Sequence, residues 1–410
     1  MDVLAMILAG GRVDDLGVLT HSRPKSALPF GGLYRIIDFP MSNLMYSGIE
    51  KVGILSQYKP FYLMEHVGSG ESWDMVGRKS FVTMLPPYTG IGRSHWYKGT
   101  ADAVYQNLDF LRTHRPDLIL VLSGDHVYKM DYREIINFHQ EKQADLTIAF
   151  AKVPPAGAHR FGLASIEEGD ERGGRVLTYW EKNVKAPADW ASLTVYVFTP
   201  YALFDALEAN ASRASQEFGR DVVPYLLANN YTVYGYKHHG YWGYTRTPEE
   251  YWQTSMDLLG EHPKIDLAAW EVCTNLSSGL VRDRAPAIMG VGADVQDSFL
   301  YAGCRIQGRV VRSLLFPGVT VEKEGVVEDS IIFRNTVIKQ NARVIRTIAD
   351  ENVTVGAGTS VGDHSGDLTI IGLGTRIRKE IQIAQGVTVY PNLGPAQFTE
   401  NVYQPGEVIK

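Results

Sequence analysis

Short runs of apolar residues, each stopping at glycine or at a polar residue, punctuate the first 260 positions of this chain. Met6-Ile7-Leu8-Ala9 breaks at Gly10-Gly11, Val52-Gly53-Ile54-Leu55 at Ser56-Gln57-Tyr58, and Leu118 to Leu122 at Ser123-Gly124-Asp125-His126. A strand that is apolar at every position is buried on both faces, which is the condition of a parallel sheet with helices on either side. Ala144 to Ala151 reads as a further strand, Ala103, Leu108 and Leu111 recur at helical spacing, and Pro248 to Leu259 reads as an amphipathic helix. The stretch His66 to Arg78, polar and glycine-rich around Trp73, reads as a loop over a site rather than as core.

The pattern changes in the last third. Ser313-Leu314-Leu315-Phe316, Ser330-Ile331-Ile332-Phe333 and Thr347-Ile348 open successive blocks 17 residues apart, and Val319/Val321, Thr336/Ile338 and Val353/Val355 keep step. A fourth, displaced block starts near Thr369. Short apolar-glycine units at a fixed period mark a β-solenoid of hexapeptide type, in which each coil buries its apolar residues against its neighbours. Residues from about 260 to 290 carry Pro263 and Pro286 and few periodic apolar positions. The division expected is therefore a first domain over 1–260, a linker over 261–290, and a β-helix with a C-terminal tail over 291–410.

Composition narrows the class. The 410 residues are 45% hydrophobic and 21% charged, ordinary for a globular protein with a sizeable core. A formal charge of −6 without a long basic run disfavours nucleic acid as a partner, so an anionic substrate has to be held by local cations and backbone amides. Cys273 and Cys304 have neither metal-ligand spacing nor a disulfide framework, which fits a reducing compartment. There is no signal-peptide pattern and no apolar run long enough to span a membrane, so a cytoplasmic location is expected.

Candidate chemistry lies where the apolar runs stop. A buried strand opening into Gly10-Gly11, with Arg12, Arg23 and Lys25 following, suits a phosphate loop as well as it suits a plain turn. Gly99 and Thr100 fall at the start of a helical pattern, where unpaired N–H groups favour an anion, although an ordinary capped helix has the same look. Asp125, just after a glycine at the end of a buried strand, is placed to coordinate a divalent ion bridging phosphates; a turn or cap role is the bland alternative. Glu181-Lys182 alone would be a solvated surface pair.

The motifs together are more specific. Lys25, Phe30-Gly31-Gly32, Arg35-Ile36-Ile37-Asp38-Phe39 and Ser42-Asn43 resemble the N-terminal signature of the glucose-1-phosphate adenylyltransferases among the sugar-nucleotide pyrophosphorylases. Trp96 to Ala103, Gly124 to Tyr132, Arg160-Phe161-Gly162, Tyr179 to Lys182 and Glu217 to Pro224 extend the resemblance over essentially the whole chain. It implies a Rossmann-like α/β nucleotidyltransferase domain with a mostly parallel sheet, then a left-handed parallel β-helix. It further implies ATP, glucose 1-phosphate and Mg²⁺, formation of ADP-glucose for glycogen synthesis, and a homotetramer or a hetero-oligomer with a paralogue. Carried over residue by residue, Lys25 and Asp125 are catalytic, with Asp125 the metal ligand. Leu8, Gly10, Gly11, Tyr97, Gly99 and Thr100 serve the nucleotide, and Gly162, Glu181, Lys182 and Ser192 serve the sugar phosphate.

The chain departs from that pattern at several places, among them Arg220 in place of the more usual lysine. Asp15 stands where the family has an arginine that touches the triphosphate, and such a reversal costs several kcal/mol if the charges lie ~4 Å apart and poorly solvated. Tyr244 replaces a second metal-binding carboxylate, and Thr194 replaces a glycine, a change expected to narrow the sugar pocket. Arg12 and Arg246 offer replacement positive charge. These departures leave open a slow adenylyltransferase or a non-catalytic regulatory subunit that associates with an active paralogue.

Overall fold

The computed structural model describes residues 1–11, 14–90, 93–94, 96–155, 157–277 and 283–410. Grouped by packing, the chain forms two units that are discontinuous in sequence. The first comprises Met1–Gly11, Phe39–Pro60 and Val67–Trp242; the second comprises Arg12–Asp38, Phe61–His66 and Gly243–Lys410.

The first unit is built on a nine-stranded sheet: β1 (Val3–Leu8), β2 (Lys51–Leu55), β3 (Phe81–Leu85), β4 (Leu118–Ser123), β5 (Leu146–Lys152), β6 (Gly162–Ile166), β7 (Gly173–Glu181), β8 (Trp190–Phe198) and β9 (Val233–His238). Their order is β5-β9-β7-β6-β8-β4-β1-β2-β3, with a further pairing between β5 and β8. The apolar runs occupy the parallel half: β1 lies between β2 and β4, with Met6 opposite both Gly53 and Val121. Every residue of β4 is buried, as a strand covered on both faces requires. The other half is mixed, since β8 runs antiparallel to β4 and β6 antiparallel to β7 and β8. One expectation is corrected here. Trp73 is fully buried, so at that position the glycine-rich stretch is core, while its neighbours Gly68, Ser69, Glu71 and Asp74 are exposed. Of its glycines Gly70 is a packing residue, since a Cβ there would stand 2.3 Å from Val82, whereas one on Gly68 would meet nothing within 4 Å.

The second unit carries the solenoid. Three parallel sheets of five, seven and seven short strands run side by side, and their register reproduces the 17-residue period: Leu314, Ile331 and Ile348 pair in succession, as do Thr320, Val337 and Thr354. The displaced block follows from a longer step, with Ile348 opposite Ile370. More coils exist than the sequence repeat disclosed, since strands begin at Ile288 and continue to Val408–Ile409. The first of these, Ile288–Met289, falls inside the expected linker span.

Two features explain why the repeat recurs. Corner residues 17 apart adopt left-handed backbone, Arg312, Asp329 and Arg346 on one edge and Asn335 and Asn352 on another. Ser313, Ser330 and Thr347, all buried, form a hydroxyl ladder: each bonds a carbonyl two residues back (Val311, Glu328 and Ile345), and the Ser313 and Ser330 oxygens accept the N–H groups of Ser330 and Thr347 at 3.1 Å. A buried corner thus keeps its polar groups paired. Segment 14–38 belongs to this unit. Tyr301 donates to the Gly31 carbonyl, and a Cβ on Gly32, at φ +88°, would overlap the Tyr301 ring at 1.8 Å. The helix Pro248–Met256, shorter at its end than the periodicity predicts, seats Trp252 on one solenoid edge, with its indole N–H on the Asp329 carbonyl at 2.8 Å and the Arg346 guanidinium 4.5 Å from the ring.

Candidate functional site

In the first unit the expected phosphate loop leaves β1 beside β4. The Gly124 N–H bonds the Leu8 carbonyl at 2.9 Å, so Asp125 follows directly on the end of the opening strand. The two glycines differ in role. A Cβ on Gly10 would come within 2.6 Å of the Gln57 nitrogen, making Gly10 a packing requirement, whereas Gly11 has nothing within 4 Å and leaves its backbone open.

Asp125 keeps a quarter of its side chain exposed, accepts from the Ser123 hydroxyl, and lies 3.5 Å from His126 Nε2. His126 is buried, with its other ring nitrogen 3.2 Å from the Leu193 carbonyl, which fixes the imidazole in place. Several residues of the surrounding motif are structural. Asn43 donates to the Tyr128 carbonyl and accepts from the Met130 N–H, and Asp131 caps the helix Tyr132–Glu141.

Tyr97 is mostly core. Its hydroxyl donates to the Leu85 carbonyl at 2.9 Å and accepts from Asn107 at 3.0 Å, its N–H meets Gln57 at 2.8 Å, and burial pushes its phenol up to about 12. The helix that begins at Thr100 does not present an open N-terminus. Thr100 donates both its N–H and its hydroxyl to Glu217, and the N–H groups of Ala101 and Asp102 bond the Gln216 carbonyl. The anion expected at Gly99-Thr100 is therefore replaced by the protein's own carboxylate. Gly99 is required because a Cβ would stand 2.4 Å from the Gln216 carbonyl.

The expected sugar-side residues cluster around Glu181. Its carboxylate accepts from the Tyr179 hydroxyl at 3.0 Å and lies between two glycines: a Cβ on Gly219 would meet it at 2.2 Å and one on Gly162 at 2.9 Å. Lys182, at φ +48° and half exposed, has its ammonium 3.9 Å from Glu181. Ser192 is buried and accepts the Thr194 N–H at 3.2 Å. Thr194 adopts φ +55°, a left-handed conformation that a β-branched residue rarely takes, at the point where β8 slips register against β5. Position 194 thus demands the backbone that glycine supplies without strain. Tyr179 and Gly219, which the sequence offers only as parts of longer motifs, join this cluster because β6–β7 pairing and a long loop bring them there.

In the second unit Lys25 is 2% exposed, with its ammonium 5.2 Å from the centre of the Tyr244 ring. Arg246 donates to the Tyr244 hydroxyl at 3.3 Å and to Asp15 at 2.8 Å. The acidic residue at position 15 thus has a counter-charge within its own unit. Arg12 lies outside the described residues. Arg23 and Arg35 join Arg334, Asp350 and Glu351 in a buried ion network. Burial alone would raise the Glu351 carboxyl, but the three guanidinium groups outweigh it and hold it below its ordinary value; at Asp350 burial prevails and the carboxyl is raised.

Among the described residues no three His, Cys, Asp or Glu side chains gather as a metal cage. The donor in the first unit is the strand-end carboxylate of Asp125, of the kind that holds Mg²⁺ together with substrate phosphates.

Comparison with known proteins agrees with this anatomy. The nucleotidyl transferase family model matches residues 4–261, and the model of the GlmU-like C-terminal hexapeptide matches residues 287–369. The chain belongs to the nucleotidyl transferase family. Within it, the chain is 40% identical over 367 residues to a glucose-1-phosphate adenylyltransferase of Clostridium perfringens, covering 88% of this chain and 91% of that one. It is 39% identical to the protein of that name from Desulforamulus reducens, over 87% and 89% of the two chains. It is 34% identical to that from Acetivibrio thermocellus, over 100% and 98%. No helix among the described residues is long and apolar enough to cross a membrane.

Proposed function

We propose that this chain is a glucose-1-phosphate adenylyltransferase that joins ATP and glucose 1-phosphate into ADP-glucose for α-glucan synthesis in the cytoplasm. A phosphate oxygen of the sugar phosphate attacks the α-phosphorus of ATP, and the bond from that phosphorus to the β-phosphate breaks, releasing pyrophosphate. No covalent intermediate with the protein is needed, so catalysis is alignment and charge stabilisation. The observation that carries this reading is end-to-end likeness to relatives of that name, over 87–100% of the chain.

Each residue then has a task. Gly11 leaves the loop after Leu8 open to a phosphate, while Gly10, Tyr97, Gly99 and Thr100 shape the nucleotide side by packing. Glu181, confined between Gly162 and Gly219, accepts a sugar hydroxyl; Lys182 takes the sugar phosphate, and Ser192 fixes the strand beneath. Lys25 faces the triphosphate. Asp125 holds Mg²⁺, which when bound neutralises charge on the departing pyrophosphate.

Pyrophosphate release by the purified protein, with glucose 1-phosphate and each nucleoside triphosphate in turn, tests the reading. ATP should be preferred, and Asp125→Asn should abolish turnover without altering the fold. No release with any triphosphate, or wild-type turnover in the variant, would overturn the assignments.

We further infer a homo-oligomer, expected to be a tetramer. Ile288, Met289, Val291 and Phe299 are exposed on the first solenoid coil, whose strands end their sheets. An uncovered apolar sheet edge calls for a second copy. Met289→Glu with Val291→Glu should reduce the assembly seen by light scattering, and an unchanged mass would dismiss this surface.

A further inference from the structure

The two most conspicuous departures from the family pattern, Asp15 and Tyr244, are 229 residues apart in the chain yet belong to one chain of contacts in the second unit. Asp15 accepts from Arg246 Nε at 2.8 Å, Arg246 Nη1 reaches the Tyr244 hydroxyl at 3.3 Å, and the Tyr244 ring stands 5.2 Å from the Lys25 ammonium. The members differ in exposure. Lys25 is buried, whereas the Asp15 side chain is 53% and the Arg246 side chain 40% exposed.

We propose that Tyr244 and Arg246 are positioning residues for Lys25, held in turn by Asp15, so that the two departures compensate each other. The proposal rests on the reading of Lys25 as the residue that faces the triphosphate. A buried ammonium needs a partner of negative character, and an aromatic face supplies it without a formal charge. The ring steadies the ammonium 5.2 Å from its centre without adding a formal charge. The hydroxyl bond to Arg246 anchors the far end of the Tyr244 ring against swinging about the Cα–Cβ bond. Arg246 is itself a flexible side chain, and its ion pair with Asp15 fixes it. The carboxylate and guanidinium that the family pattern sets at positions 244 and 15 are present here at 15 and 246, where they pair with each other.

The relay predicts a graded series. Tyr244→Leu removes the ring and should raise the KM for ATP by roughly 10- to 30-fold while moving the KM for glucose 1-phosphate less than about 2-fold. Tyr244→Phe keeps the ring and loses only the anchor, so a change of about 2- to 3-fold is expected. Asp15→Asn combined with Arg246→Gln should cost no more than Arg246→Gln alone, because both act through one path. A second readout needs no turnover. In the ligand-free protein, amine-selective labelling followed by peptide mass spectrometry should show Lys25 labelled several-fold faster in Tyr244→Leu than in wild type or Tyr244→Phe, with other lysines unchanged. Equal shifts in both KM values, or unchanged Lys25 labelling in Tyr244→Leu, would overturn the relay. If no triphosphate supports turnover, the adenylyltransferase reading falls, and the labelling series still decides the relay.

Discussion

Strand β4 of the nine-stranded sheet is buried at all six of its residues, while the solenoid strand Thr320–Val321 buries Val321 and leaves Thr320 partly open. The sheet is assembled from distant segments, since Val3 pairs with Leu118 and Leu4 with Lys51; the solenoid pairs each residue with one about a coil away, such as Val321 with Ile338. Two buried ionisable sites, one in each unit, also differ. In the second unit Arg23, Asp350 and Glu351 are buried as a paired network, whereas in the first His139 is buried in its neutral form, with burial lowering its pKa to about 4. Buried ions persist where several neutralise one another; a buried imidazole beside a hydroxyl, as His139 beside Thr147 at 2.9 Å, stays uncharged.

The largest expected effect breaks the ion network. Arg23→Ala leaves Asp350 without its closest cation, while Glu351 keeps Arg334 at 2.8 Å, and should lower stability in urea by about 3–5 kcal/mol, with amide exchange accelerated first in solenoid peptides. A loss below 1 kcal/mol would mean that the network is not what distinguishes the second unit.

Acid should separate the units next. His139 has a folded pKa near 4 against an ordinary value near 6.5, so the unfolded chain takes up its proton first and stability falls as pH drops below about 6.5, by up to about 3 kcal/mol near pH 4. His139→Leu should flatten that slope. In the second unit the depressed Glu351 contributes stability that is present above its unfolded pKa and lost only as pH falls through the lower folded value. The raised Asp350 has the opposite sign, its contribution being lost as pH rises through its folded value. Peptide-resolved exchange between pH 7 and 4 should therefore show the first unit loosening first; simultaneous loosening would erase the distinction.

Smaller effects sharpen the sugar side of the first unit. Lys182→Ala should raise the KM for glucose 1-phosphate far more than that for ATP, by the equivalent of about 1.5–3 kcal/mol for a charge-assisted contact. Equal effects would move Lys182 out of the sugar site. Thr194→Gly should stabilise the protein by about 1 kcal/mol in thermal unfolding, because the left-handed backbone at that position strains a β-branched residue. A destabilised variant would show that the Thr194 side chain contributes more than its backbone costs.

By itself the sequence determined what is local or periodic. Apolar runs ending at Gly10-Gly11 and Asp125 gave the parallel half of the sheet, because burial on both faces leaves its mark within six residues. The 17-residue period gave the solenoid, because identical corners repeat the same hydroxyl and left-handed positions. Only the tertiary structure decided which distant polar groups meet: Arg23 with Asp350 across 327 residues, Asp15 with Arg246 across 231, Thr100 with Glu217 across 117. It also placed Trp73 in the core against its polar surroundings and filled the helix start at Thr100 with a carboxylate from the same chain. Burial in a strand or coil is set by each residue's own neighbours and so is written along the chain. An ion pair is set by where two segments come to rest, and neither partner carries a local sign of the other.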